Sequence, residues 1–296
     1  MKLSKLIVGL IGVAVLVATA RADENGTLKK IKETGSITIG HRESSIPFSY
    51  LDDKQQPIGY AMDLCMKVVD AVKAELKLPN LKLILQPVTS SNRIPLLQNG
   101  TIDLECGSTT NSVVRQQQVA FGPTYFVVNV TVAVKKNSNI KTIADLNGKT
   151  VSTTSGTTSV ALIKAYEKSK GADVKEIFGK DHAESFLLLA EDRALAFMMD
   201  DILLAGQIAN AKHPADYTIL PESLRQEPYS MMLRKDDPRF KALVDKAVGG
   251  VMKSGEIEKI YAKWFMNPVP PKGISLNFPM TQPLRDAFKN PNDKGV

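Results

Sequence analysis

The tightest constraint on this chain is a rhythm: short β-forming runs alternate with helix-period segments across residues 36–115. Ile37 and Ile39 alternate with polar neighbours in a strand over 36–40. Gly59-Tyr60 opens a helix in which Met62, Cys65, Met66 and Val69 recur at helical spacing through Leu76, with Pro79 closing the unit. A second strand follows over 81–88. Then comes an apolar run (Ile94, Leu96, Leu97) stopped at Gly100, and a third strand over 102–105. A β-α-β-α-β order makes a sheet covered by helices, and ligands on such sheets bind beyond the carboxyl ends of the strands. Arg42, Ser90 and the cluster Ser108, Thr109, Thr110 each follow a strand, while Arg93 and Arg115 sit at neighbouring helix starts. Arginines and hydroxyls converging there, with no cysteine–histidine set nearby, point to gripping an anion rather than breaking bonds. The competing reading is a set of helix caps and solvated surface arginines.

The rhythm resumes downstream. Residues 121–136 are rich in β-formers, and a run of that length reads as a crossover into a second lobe rather than as one strand. Strands are expected over 150–154, 174–178, 194–199 and 217–220, and helices over 159–168, 184–192 and 202–211. The loop Ser155-Gly156-Thr157-Thr158 repeats the hydroxyl-rich chemistry of Ser108–Asn111. Lys180-Asp181-His182 and Asp200-Asp201 also fall at strand ends. Residues 227–234 read as the chain crossing back. A long helical region over 238–265 is expected to break at Gly249-Gly250 and at Ser254-Gly255 and to bury Trp264, and 267–296 reads as an extended tail. The fold class is therefore α/β in two lobes, each a central sheet flanked by helices, with two crossover strands as the hinge. Lobe I takes residues 23–128 plus 229–268, lobe II takes 129–228, and 269–296 packs on lobe I.

Charge and cysteine content exclude other classes. The formal net charge is +7, but Lys2, Lys5 and Arg21 stand in an acid-free leader, which leaves 35 basic against 31 acidic residues. That mild excess without a basic tract argues against nucleic-acid binding. Residues 1–22 have the form of a signal peptide: two lysines, an apolar core over 6–17, and Ala20-Arg21-Ala22 before the cleavage point. Export to the periplasm follows, and no later stretch is long and apolar enough to span a bilayer. Cys65 and Cys106 are the only cysteines. In an oxidising compartment they either pair or lie as two buried thiols. With His41, His182 and His213 scattered, no metal site and no cofactor are expected.

Gly59-Tyr60-Ala61-Met62-Asp63-Leu64 resembles the signature of the polar-amino-acid solute-binding proteins of ABC importers, departing from it at Ala61, where an acidic residue is usual. Segments 40–50, 92–101, 105–111, 154–159, 180–182 and 196–201 are similar to the acidic-amino-acid-binding branch of that family, and the likeness spans residues 28–290. The resemblance implies a two-lobe, hinge-closing periplasmic-binding-protein fold of type II. It implies a non-enzymatic receptor, expected to be a monomer, that holds L-glutamate or L-aspartate and serves an inner-membrane ABC permease. Carried over by position, Arg115, Ser108, Thr110 and the helix start at Thr157 and Thr158 would hold the α-carboxylate. Asp200, with Ser108, would take the α-ammonium, Asp201 being its rival. Arg42, Arg93, Ser90 and His182 would take the side-chain carboxylate. Met231 stands where a relative can carry a cysteine, so a disulfide does not carry over. The charge count expected for the site is three arginines against one aspartate, plus a histidine able to donate.

Overall fold

Residues 26–296 are described by a computed structural model; the leader expected over 1–22 lies outside the described residues. Helix α1 (Thr27–Thr34) leads into β1 (Ser36–His41) and a small ribbon, β2 (Ser44–Ser45), β3 (Ser49–Leu51) and β4 (Pro57–Ile58). Then follow α2 (Tyr60–Leu76), β5 (Lys82–Pro87), α3 (Arg93–Gln98), β6 (Leu104–Cys106), α4 (Val113–Gln116) and β7 (Val119–Phe121). The chain continues through β8 (Phe126–Lys135), β9 (Thr150–Thr154), α5 (Thr158–Lys170), β10 (Lys175–Gly179), α6 (His182–Ala190), β11 (Ala196–Asp200), α7 (Asp201–Asn210), β12 (Tyr217–Ile219) and β13 (Arg225–Tyr229). It closes with β14 (Met232–Arg234), α8 (Pro238–Lys253), α9 (Glu256–Tyr261) and α10 (Gln282–Lys289).

Two sheets result. The first is five-stranded in the order β5-β1-β6-β14-β7; β1 runs parallel to both β5 and β6, so the loops after these strands leave from one edge. The second is six-stranded, β10-β9-β11-β8-β12 with β13 also on β8. Parallel sheets need both faces covered. Accordingly α2 buries Leu64, Cys65, Val68, Val69 and Val72, and α8 buries Phe240, Val244 and Val248. The chain passes between sheets twice, and the two passages pair antiparallel in the register Tyr229↔Phe126. That pair is anchored in an aromatic cluster: Phe48 meets Phe126 edge-on at 4.8 Å and Tyr229 at 5.2 Å, and Phe265 stacks on Phe126 at 4.7 Å. The crossing strands thus start from a rigid base. Trp264 is buried, its Nε1 donating to Asp63 at 2.7 Å. Cys65 of α2 is disulfide-bonded to Cys106 at the end of β6, with Cα atoms 6.1 Å apart.

Three local expectations change. Residues 126–135 are one ten-residue strand, because β13 pairs its first half while β11 and β12 pair its second; partners on both halves sustain a length that isolated strands rarely reach. Helix α8 runs unbroken through Gly249-Gly250. Two glycines cost roughly 1 kcal/mol each relative to alanine, but Val248, Val251 and Met252 keep the apolar face buried on either side. The stop comes at Gly255, whose φ of 76° a glycine adopts freely. The tail is not wholly extended: α10 forms within it, burying Leu284, Ala287 and Phe288 at helical spacing. Beyond α10 the tail lies against the segments after β6 and β7, with Val113 N–H donating to Val296 O at 2.9 Å and Thr124 N–H to Asn292 O at 2.8 Å.

Candidate functional site

Arg42 leaves the carboxyl end of β1 and is 1% exposed. Its backbone N–H donates to Ser49 Oγ at 2.8 Å, which sets the turn. Its side-chain stem runs over Gly107, where an added Cβ would stand 2.7 Å from Arg42 Cγ and 2.6 Å from Glu105 Oε1. Glycine is therefore required there for Arg42 to reach inward. Both terminal nitrogens of Arg42 are buried without a hydrogen-bond partner among the described residues. Burial, with the Arg93 charge alongside, pushes this guanidinium down to about 10.

Arg93, the first residue of α3, is differently placed. Its Nη1 donates to Thr109 Oγ1 and, at 3.4 Å, to Ser108 O, and it stands 3.8 Å from Glu105 Oε1. Thr109 Oγ1 in turn donates to Glu105 Oε2 at 2.7 Å. Arg93 Nε and the neighbouring Ser90 Oγ are buried and unpartnered. Arg115, delivered by α4, bridges the two lobes: Nη1 donates to Thr110 O at 2.9 Å and Nη2 to Gly156 O at 3.1 Å. It too is lowered to about 10, by burial first and by Arg93 second.

The second lobe brings its own strand ends to the same place. His182 opens α6, fully buried, with Nδ1 2.9 Å from Thr154 Oγ1 and Nε2 unpartnered. Burial first, then the charges of Arg42 and Arg93, push this imidazole well below 6.5, so it is neutral at physiological pH. In the tautomer whose Nδ1 accepts from Thr154, Nε2 carries the proton and can donate. Asp200, at the end of β11, accepts from Tyr229 Oη through Oδ2 and keeps Oδ1 buried and unpartnered. Burial and then the nearby Glu227 raise its pKa well above the ordinary value. Asp201 is committed elsewhere: it accepts from Asn129 N–H at 3.2 Å, from Asn129 Nδ2 at 2.9 Å and from Ile202 N–H at 2.8 Å.

The hydroxyls divide. Thr110 Oγ1 and Thr158 Oγ1, one from each lobe, both donate to Glu227 Oε2, at 2.5 and 2.8 Å. Ser108 Oγ donates to Ser45 Oγ at 3.2 Å, and Thr157 Oγ1 turns back to Thr154 O at 2.7 Å. All four hydroxyl protons are thus used inside the protein, two of them on Glu227.

Glu105, Glu227 and Tyr229 escaped the sequence reading, and with them the charge count changes. Three buried carboxylates, Glu105, Asp200 and Glu227, face three buried arginines, Arg42, Arg93 and Arg115. Glu227 also accepts from Arg225 Nε at 2.9 Å, so the cluster with Arg225 carries one excess positive charge rather than two. The available signal was an acid inside each of two β-forming runs, Glu105 (with Asp103 beside it) in 102–106 and Glu227 in 225–229, where a charge is expensive unless paired. The unsatisfied buried groups of this cluster include five atoms able to donate (Arg42 Nη1 and Nη2, Arg93 Nε, Ser90 Oγ, His182 Nε2) and two carboxylate oxygens, Asp200 Oδ1 and Glu105 Oε1, the latter 3.8 Å from Arg93 Nη1. Buried polar groups are nearly always bonded, so this set suits a small molecule with a carboxylate at one end and an ammonium at the other. No group of three or more metal-ligating side chains occurs among the described residues.

Comparison with known proteins agrees with this chemistry. The family description "bacterial extracellular solute-binding proteins, family 3" matches residues 37–267. The chain is 53% identical over 287 residues to an L-glutamate/L-aspartate-binding protein of Pseudomonas aeruginosa, covering 96% of this chain and 94% of that one. It is 47% identical over 301 residues to a glutamate/aspartate import solute-binding protein of Escherichia coli, covering 100% of both. Among solved structures, the cysteine-binding protein of Campylobacter jejuni superimposes with a TM-score of 0.71 at 28% identity, covering 81% of this chain and 93% of that one. The fold is the type II periplasmic binding protein fold, as the segments from 40 to 201 implied.

Proposed function

Because the chain belongs to family 3 of the bacterial extracellular solute-binding proteins, we propose that it captures L-glutamate and L-aspartate by closing its two lobes and delivers them to an ABC-type importer. The observation carrying this reading is the convergence, from both lobes, of buried unpartnered donors, with Asp200 Oδ1 as a buried unpartnered acceptor on the second lobe. Arg42, Arg93 Nε, Ser90 and His182 hold the side-chain carboxylate. On ligand binding Arg115, Thr110 and Thr158 turn from Thr110 O, Gly156 O and Glu227 to hold the α-carboxylate, together with the backbone around Ser108 and Thr157. Asp200 Oδ1 takes the ammonium, with Tyr229 keeping the carboxylate aimed; the engagement of Asp201 with Asn129 supports this choice over its neighbour. The ligand's net charge of −1 offsets the cluster's single excess positive charge, so nothing is left buried and uncompensated.

The lobes are taken as 23–128 plus 229–268 and 129–228, with 269–296 on the first. Only a closed cleft touches the ligand from both sides, so the ligand shifts the population toward closure. The protein works in the periplasm as a monomer and docks on an inner-membrane permease. It is a receptor and not an enzyme: the carboxylates and His182 serve to satisfy ligand or arginine charge, and none is left as an acid or base. A thermal-shift screen across the twenty amino acids tests the assignment. L-glutamate and L-aspartate should raise the melting temperature, and L-glutamine should not, since it leaves Arg42 facing a neutral amide. A rise with L-glutamine of the same size, or a new product found by mass spectrometry, would overturn it.

A further inference from the structure

We propose that Gly206 and Gln207 of α7 form a closure contact against Ser44–Ile46 that sets ligand affinity without touching the ligand, and that residue 206 is glycine because the shut cleft has no room for a side chain. This rests on the reading of the protein as a closing receptor. Gly206 lies in the interior of a helix, where glycine is less favourable than alanine. Its surroundings give the reason. A Cβ there would stand 2.6 Å from Ile46 O, 3.0 Å from Ile46 Cβ and 3.1 Å from Ile46 C, and all three nearest atoms belong to the opposite lobe. The obstacle is largely backbone, which cannot turn aside as a flexible side chain could. The next residue supplies the attraction: Gln207, 5% exposed, donates from Nε2 to Ser44 O at 2.7 Å across the same seam.

A second seam has the same character. A Cβ on Gly156 would lie 2.7 Å from Ser91 N and Cα. Gly156, however, has a φ of +79°, so a side chain there is strained even in an isolated lobe. Gly206 is the informative position because its backbone is helical and only the other lobe forbids alanine. Gly249 supplies a control: it too is inside a helix, and an added Cβ would meet nothing within 4 Å.

The test is a set of three variants of the mature chain, Gly206→Ala, Gly249→Ala and Gln207→Ala. Unliganded thermal melts should rise by about 2–4 °C for both glycine replacements, from helix propensity alone. Calorimetry with L-glutamate should then separate them. Gly249→Ala keeps wild-type affinity. Gly206→Ala weakens it roughly ten- to a hundredfold, the usual range for overpacking a tight contact. Gln207→Ala weakens it about two- to tenfold, the loss of one hydrogen bond. Small-angle scattering should show a smaller glutamate-induced compaction in Gly206→Ala than in wild type. Equal affinity and equal compaction in the Gly206 and Gly249 variants would refute the closure contact. A wild-type protein indifferent to L-glutamate would instead refute the proposed ligand, so the two failures are distinguishable.

Discussion

Replacing Arg42 with methionine separates ligand recognition from folding more cleanly than any other change in the cleft. The stem of Arg42 packs over Gly107 and its backbone N–H bonds Ser49 Oγ; methionine keeps both features. Its two terminal nitrogens donate to no group among the described residues, so their removal breaks no internal hydrogen bond. Arg93 contrasts with it, being tied to Ser108, Thr109 and Glu105, so its truncation would damage the first lobe as well. The expected loss for L-glutamate follows from deleting one partner of a buried, charge-assisted pair, about 2–5 kcal/mol. Arg93 Nε and His182 Nε2 remain to donate to the same carboxylate, which puts the loss in the lower half of that range, roughly thirty- to three-hundredfold. The melting temperature of the unliganded protein should hold or rise, because a buried cation without an acceptor is removed. Calorimetry, run with L-glutamate directly and with L-glutamine in competition, is the assay. Affinity for the neutral amide should change far less than affinity for the dianion. Equal losses for the two amino acids, or none for L-glutamate, would refute the assignment of Arg42 to the side-chain carboxylate.

Two further outcomes follow from the buried acid and the disulfide. Asp200 has a raised pKa in the folded protein, so it favours the folded state below its unfolded value near 3.8 and costs stability as pH rises through the folded value; Asp200→Asn should therefore raise the unliganded melting temperature at pH 7 to 8, with the gain shrinking toward pH 4, while glutamate affinity falls. A gain that did not depend on pH, followed by scanning calorimetry, would count against this. Replacing Cys65 and Cys106 by serine opens a cross-link between residues 41 apart in sequence; loop-closure entropy puts the loss at about 4 kcal/mol, or roughly 8–15 °C in melting temperature, measured on the wild-type protein with and without reductant.

How far the chain was readable depended on the range of the interaction concerned. Arg42, Ser90, Arg93 and Arg115 could be gathered from sequence because parallel strands deliver their following loops to one edge, whatever the details of packing. His182 and Asp200 obeyed the same rule in the second sheet. Helix α10 was missed although Leu284, Ala287 and Phe288 had the spacing, because the prolines and glycines around it outweighed one short apolar face. Elsewhere no local signal existed. Thr110 and Glu227 bond across 117 positions, and Gln207 and Ser44 across 163. Such pairs exist only once two lobes have been folded and brought face to face. The amino-acid order by itself determined the alternation of strands and helices and the edges at which chemistry collects, since these follow from hydrophobic period and chain direction. The tertiary structure alone decided which carboxylates neutralise which arginines, which atoms are left over for a ligand and why residue 206 is glycine, because each depends on surfaces that are distant in the chain and meet only at the seam.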